Sequence, residues 1–324
     1  MRLYSFGVEM AHRSIGQGQL GLSPGVRGAS SLDDLAGVID WVPIGLALRT
    51  IYAGAKGEPA WPPLAVFKAM LLAVWYDLSD VRLAEALDDR ASFRRFCGFS
   101  GTEPTPERTA FVRFRGVLVA QGLDRVLFEI VTAQLKAKSI RVKTGTLVDA
   151  TIIASASEGD GDAHWVKHQS RRAVHGFKAH VGADADTALV EEVVVTPANV
   201  NDGRAGPGAL PPDPGDVFAD SAYRGPHFCD AVRAKGGTPR IVATAMWGKD
   251  EQETLARLEA WNQPIHRIRA RIEKIFGTWK RSYGLRRMRW RGIAKAAVQV
   301  HLTAIAYNLK RTVNILAERS FITE

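Results

Sequence analysis

The sequence predicts an α/β protein in which an all-α region, residues 32–138, precedes a region built on a mixed sheet, residues 141–318. Three observations carry this. Between 32 and 138 the chain shows helical patterning and no strand alternation. From Thr146 to Thr196 three segments are β-branched or alternate in period two, close enough in sequence to form an antiparallel meander. From Asp250 onward the pattern returns to helix.

Residues 1–31 are rich in Gly and Ser and predict a flexible arm. Ser31, Asp33 and Asp34 offer caps for a helical segment from Leu32 to Leu48. After a Gly/Pro-rich connection, Pro62 and Pro63 open an apolar helix through Val74. Asp77-Leu78-Ser79-Asp80 starts a short helix to Leu87, and Ser92–Phe96 carries on the helical pattern until Gly98 stops it. Two more cover Ala110–Val119 and Asp124–Lys138, divided by Gly122. Thr146–Ile153 reads as a buried strand, and Ser155 to Arg172 as a polar loop. His175–Val181 and Ala188–Thr196 alternate as strands, and Asp216–Ala219 is a short fourth strand. Pro226–Ala234 reads as helix and Thr238–Thr244 as a fifth strand. Helices cover Asp250–Tyr283 and Ile293 to Leu316, where Tyr307, Asn308 and Leu309 read as packing residues, and 319–324 form a tail.

The chain carries a net charge of +9. Residues 262–311 hold 13 Lys or Arg and one acid, Glu273, so that block alone is +12 and the remainder −3. A solvated helical face usually mixes both signs, so a block of one sign favours contact with phosphate. The most apolar run, Leu64–Tyr76, contains Lys68 and is too short for a membrane span, which predicts a cytoplasmic protein with no membrane partner. Cys97 and Cys229 lie far apart and predict free thiols. His164, His168, His175 and His180 invite a zinc reading, but the His164/His168 pair, although at helix spacing, lies in a Gly/Asp-rich loop with no nearby Cys, which argues against zinc.

Three acids stand out. Asp149 lies mid-strand, where a carboxylate is costly unless paired or bound to a cation; the alternative is a hydrogen-bonded structural Asp. Asp220 follows a short strand, at the end where α/β sheets place ligands; the alternative is a helix N-cap. Glu273 stands alone among cations; the alternative is an ion pair with Arg269 one turn away. At about 100° per residue His266, Arg269, Glu273 and Lys280 share one stripe of their helix. Two strands and a helix thus offer three carboxylates, the ligand type that two-metal phosphoryl transfer requires.

The chain resembles the DDE transposases of bacterial insertion sequences, in the group called IS-five. LVDATII resembles the first-Asp motif, and HGFKAH, TPANVND and FADSAYRG the segments around the second. HRIRARIEKIFGTWKRSYG resembles the signature Y-x2-R-x3-E-x6-K, with His266 where the pattern has Tyr. PLAVFKAMLLAVWYDLSDVRLAEALDDRASFRRFCGF resembles the family's N-terminal domain. The acids are spaced 71 and 53 residues apart in the family's order. The resemblance implies a ribonuclease-H-like catalytic domain, with Asp149, Asp220 and Glu273 as catalytic metal ligands for two Mg²⁺ or Mn²⁺ ions. It implies DNA contacts from Arg269 and Lys280, joined by His266 and Arg281, and a helical domain that binds DNA or oligomerises. The partners implied are double-stranded DNA, as terminal inverted repeats and target, and further copies of the chain, in a nucleoid-associated protein.

Lys178 and His180 share one strand face and read either as ordinary strand polar residues or, with Tyr223 and Arg224, as the periphery of the site. Asn199 and Asp202 read first as formers of the turn after the third strand and second as substrate contacts. Arg94, Arg95, Arg113 and Arg115 read either as phosphate contacts or as solvated charges. Two other functions remain compatible with the sequence: a structure-selective nuclease or resolvase on the same fold, and a non-catalytic DNA-binding protein derived from a transposase.

Overall fold

Residues 15–16, 31–51, 60–139, 142–167 and 172–323 are described by a computed structural model. The expected N-terminal arm therefore lies outside the described residues except at 15, 16 and 31, as does His168. The chain forms two compact units, residues 1–130 and 131–324. No helix among the described residues is long and apolar enough to cross a membrane.

In the first unit every described element is helical: α1 (Ser31–Gly37), α2 (Val42–Ala47), α3 (Pro63–Trp75), α4 (Asp80–Asp89), α5 (Ala91–Cys97), α6 (Arg108–Gln121) and the start of α7 (Leu123–Ser139). The continuous helical segment expected over Leu32–Leu48 is two helices and a 3-10 turn, Leu48–Thr50. Pro43 explains the division, because it sits in the first turn of α2, where a missing N–H is tolerated, and would break a helix passing through it. Phe67, Phe93, Phe111 and Phe114 fill the core. Gly98 and Gly122 end α5 and α6 in the left-handed conformation, at φ 93° and 61°.

Two of the four arginines expected as phosphate contacts or solvated charges are internal. Arg115 is 5% exposed and grips Asp80 through two hydrogen bonds of 2.8 and 2.7 Å. Arg94 is 8% exposed and donates to the carbonyls of Ser100 and Leu87. Both brace helix ends, and neither is available to a ligand.

The second unit is a six-stranded sheet. β1 (Gly145–Ala154) pairs antiparallel with β3 (Val174–Asp184), and β3 with β4 (Val190–Pro197). A short strand inside the expected polar loop, β2 (His164–Val166), also pairs with β3. Gly176 faces Ala154 on one side and His164 on the other, so β2 prolongs the edge that β4 covers. On the other side of β1 the sheet turns parallel. After α8 (Asp202–Ala205) come β5 (Asp216–Ala219), α9 (Pro226–Ala234) and β6 (Thr238–Ile241). β5 pairs parallel with β1, and β6 parallel with β5.

The two faces of β1 are covered differently. Val148, Val217 and Ala219 point into an apolar cluster with Phe228 and Val232 of α9. The opposite face meets α10 (Glu251–Arg281), which packs on β1 and β5. Asp250 caps α10 by accepting from the Glu253 N–H. Ile265, Ile272, Ile275 and Trp279 form its buried stripe. α11 (Ile293–Thr323) packs on β4 and runs past Leu316, with Arg319 donating to the Lys138 and Ser139 carbonyls. Its Asn308, fully buried, brackets the edge of β4, accepting from Val190 N–H at 2.9 Å and donating to Val190 C=O at 2.7 Å. Gly182 lies opposite a bulge in β4, where Glu191 is the extra residue, and a Cβ on Gly182 would fall 1.9 Å from the Ala209 carbonyl oxygen, so only glycine fits.

Candidate active site

The parallel register aligns the two aspartates. Gly145 faces Asp216 and Leu147 faces Phe218. Continued by two residues, that register sets Asp149 opposite Asp220, one strand spacing away, about 4.8 Å between backbones. Alternation assigns their direction. Val148 and Ala219 enter the apolar cluster with α9, so Asp149 and Asp220 emerge on the α10 face. Asp220 retains extended backbone, φ −78° and ψ 178°, which continues the strand direction.

Each acid has local partners. Asp149 Oδ1 accepts from the Ala150 N–H at 2.8 Å, and its Oδ2 from Arg269 Nη2 at 3.2 Å. Asp220 Oδ1 accepts from the Ala222 N–H at 2.9 Å, capping the 3-10 turn Ser221–Tyr223. The cap reading of Asp220 is therefore correct, and it uses one of the carboxylate's two oxygens.

The electrostatics are those of a crowded anionic site. Burial pushes the Asp149 carboxyl up to about 6, against the pull of Arg269 and the Ala150 N–H; Asp220 and Asp202 push it further up. The Tyr223 phenol, fully buried, is raised by burial first and then by Asp149, Asp202 and Asp220. Its hydroxyl has no hydrogen-bond partner among the described residues. Three carboxylates thus act on one buried phenol from an adjacent cluster.

Asp202 is the residue whose part in the site the sequence conceals. It opens α8, accepts from Lys178 Nζ at 2.8 Å and lies 3.8 Å from His180 Nδ1. Lys178 also donates to the Val200 carbonyl. His180 is fully buried, pairs with Thr196 Oγ1 through Nε2, and burial lowers its pKa to about 4, so it is neutral at physiological pH. Lys178 and His180 share the strand face as alternation predicts, but it is the face away from α10. The clue in the sequence is a His-x-x-x-x-His strand followed by an Asn-Asp turn, too common a pattern to single out Asp202.

Glu273 is exposed on α10, one turn beyond Arg269. Among the described residues no three His, Cys, Asp or Glu side chains lie close enough together to hold a metal ion. The structure therefore brings Asp149, Asp220 and Arg269 together and does not bring Glu273 into a three-carboxylate group with them. His266 and Arg281 are exposed on the same helix and Lys280 is half-buried. Arg224 is exposed and donates to Thr244 Oγ1.

Two family profiles match the chain. One, described as transposase DDE domain, covers residues 140–309. The other, described as transposase domain (DUF772), covers residues 24–116. No solved structure matches.

Proposed function

The chain belongs to the DDE transposase family, and from that membership we propose that it cuts DNA at the inverted-repeat ends of an insertion sequence of the IS-five-like group and transfers the freed 3′-OH into target DNA. The observation that carries this is the β1–β5 register, which continued by two residues sets Asp149 opposite Asp220, with the Arg269 guanidinium bonded to Asp149. The Asp149 carboxyl is raised by burial first, with Asp220 and Asp202 adding to the rise, which is the environment of a carboxylate that a cation would stabilise. The donor set is all hard oxygen, which fits Mg²⁺ or Mn²⁺.

Asp149 and Asp220 would hold the metal in this reading, and Glu273, which stands apart from them here, would have to turn inward from the helix that supplies Arg269 to serve as third ligand. Divalent ions held there, two in the family's mechanism, would supply the charge that polarises a scissile phosphate and activates an attacking oxygen. The chain's own residues do the remainder. Arg269 balances the Asp149 charge, and in this reading it also contacts the DNA near the cut. His266, Lys280 and Arg281 contact the DNA backbone. The Lys178–Asp202 pair, with neutral His180, fixes the turn after β4 so that α8 and Tyr223 close the back of the acid pair.

The second unit is read as a ribonuclease-H-like catalytic domain, residues 141–318. The helical region 32–138 is read as the part that binds DNA or joins copies of the chain, which acts as an oligomer among nucleoid DNA. The test is alanine replacement of Asp149, Asp220 and Glu273 in turn. Each variant should lose Mg²⁺-dependent nicking of inverted-repeat ends and joining of pre-cleaved ends, while keeping DNA binding. Full activity in any of the three removes that residue from the site. Cleavage without joining in the unaltered protein would identify a nuclease instead.

A further inference from the structure

The basic excess of residues 262–311 is not confined to the flank of α10 that meets the acid pair. Arg271, Lys274 and Thr278 lie roughly 140–200° around the helix from Arg269, on its other side. They line one wall of a cavity of about 360 Å³, and Lys310, Arg311 and Asn314 of α11 line another. The turn after β3 contributes Asp186, the one carboxylate in the lining, and the buried Tyr283 and Tyr307 complete it.

These cations are of two kinds. The arginines are pinned to the turn, Arg311 Nε donating to the Thr187 carbonyl at 2.8 Å and Arg271 Nη1 to that of Ala185. Arg271 also lies 3.4 Å from Asp186, and Arg311 3.9 Å from Glu318. The lysines are exposed, and among the described residues neither Lys274 nor Lys310 has an acidic partner. Burial pushes the Tyr307 hydroxyl up to about 12 and raises that of Tyr283 as well, so both phenols keep their protons as donors. Four cations and two phenols around one carboxylate make a concave wall of donors. Solvated surface lysines would need no such cavity, and a phosphate oxygen is the acceptor that suits it.

We propose that this cavity is a phosphate-binding site, separate from the acid pair, that takes a backbone phosphate of duplex DNA with Lys274 and Lys310 as its charge contacts. The choice of DNA rests on the transposase reading above; the phosphate chemistry rests on the cavity itself. Each phosphate contact releases counterions, so log K falls with log salt by about 0.9 per contact.

The experiment compares the full chain with the Lys274→Gln/Lys310→Gln double variant. Fluorescence anisotropy of a labelled duplex gives affinity between about 50 and 200 mM salt. The double variant should show a salt slope smaller by about 1.8, so that across this range the unaltered chain loses about twelvefold more affinity than the variant does. Equal slopes overturn the inference. If the double variant does not reach the unaltered melting temperature, the single variants serve, each with an expected decrease of about 0.9. Calorimetric binding of inorganic phosphate with no change of DNA slope assigns the cavity to free phosphate and overturns the DNA assignment. The two readings fail separately. An unaltered chain that binds and nicks DNA but shows the variant's slope removes only this site. An unaltered chain with no metal-dependent nicking removes the transposase reading while leaving the phosphate titration to decide the cavity.

Discussion

Replacing Asp149 by asparagine should make the metal-free protein more stable, because the fold holds that carboxylate under strain. Its pKa rises from the ordinary 3.8 to about 6, with the attraction of Arg269 already included. The folded form thus binds the proton more tightly than the unfolded chain. Stability from this group is full below the unfolded value and is lost as pH rises from about 4 to about 6, reaching a deficit of about 3 kcal/mol. The side chain is 20% exposed, so solvent screening is modest and the figure is an upper bound. The carboxamide of the variant cannot ionise and escapes the deficit. In EDTA at about pH 8, hydrogen exchange of the β1 amides should report opening free energies higher in Asp149→Asn by up to about 3 kcal/mol, with the difference vanishing near pH 4. Mg²⁺ should then reverse the order, since a ligand at about 1,000 times its Kd stabilises the unaltered protein by about 4.1 kcal/mol and finds no matching site in the variant. A variant less stable than the unaltered protein in EDTA at that pH would refute the argument, since Arg269 would then outweigh burial.

Two further outcomes follow from buried groups. Asn308→Ala leaves the N–H and C=O of Val190 buried without partners, and urea denaturation should show a loss of about 2–5 kcal/mol. His180, lowered from 6.5 to about 4, has the opposite linkage to Asp149: the unfolded chain binds its proton more readily, so stability is lost as pH falls from 6.5 through 4. His180→Gln should flatten the acid limb of a pH–stability curve that falls by about 3 kcal/mol in the unaltered protein, and an unchanged limb would count against the buried neutral ring.

Much of the framework is readable because each element announces itself locally. The β-branched run of β1, the alternation of β3 and β4, and the capped amphipathic pattern of α10 need no tertiary information. β2 is not readable, since three residues among Asp and Gly extend only because β3 offers an unpaired edge. Arg94 and Arg115 are hidden for a related reason: long cations default to solvent, and only the folded positions of Asp80 and the Ser100 carbonyl draw them inside. At the site, Asp149 and Asp220 are conspicuous as carboxylates on strands. Their mutual alignment is not, because it is set by a register between strands more than sixty residues apart. Asp202 stays hidden because its pairing with Lys178 exists only after β3 and β4 have zipped.

That distant register has a kinetic consequence. β1 changes partner direction across its width: toward β3 and β4 it is a run of near-neighbour hairpins, toward β5 it closes a crossover containing most of the intervening chain. Short loops close at lower entropic expense than long ones. The hairpin half therefore assembles first, carrying Asp149 alone, and the partner aspartate arrives only when the crossover docks. Until that late event the nascent chain has no such pair of acids, so under the proposed reading the metal-dependent chemistry would be withheld from a polypeptide that has not finished folding.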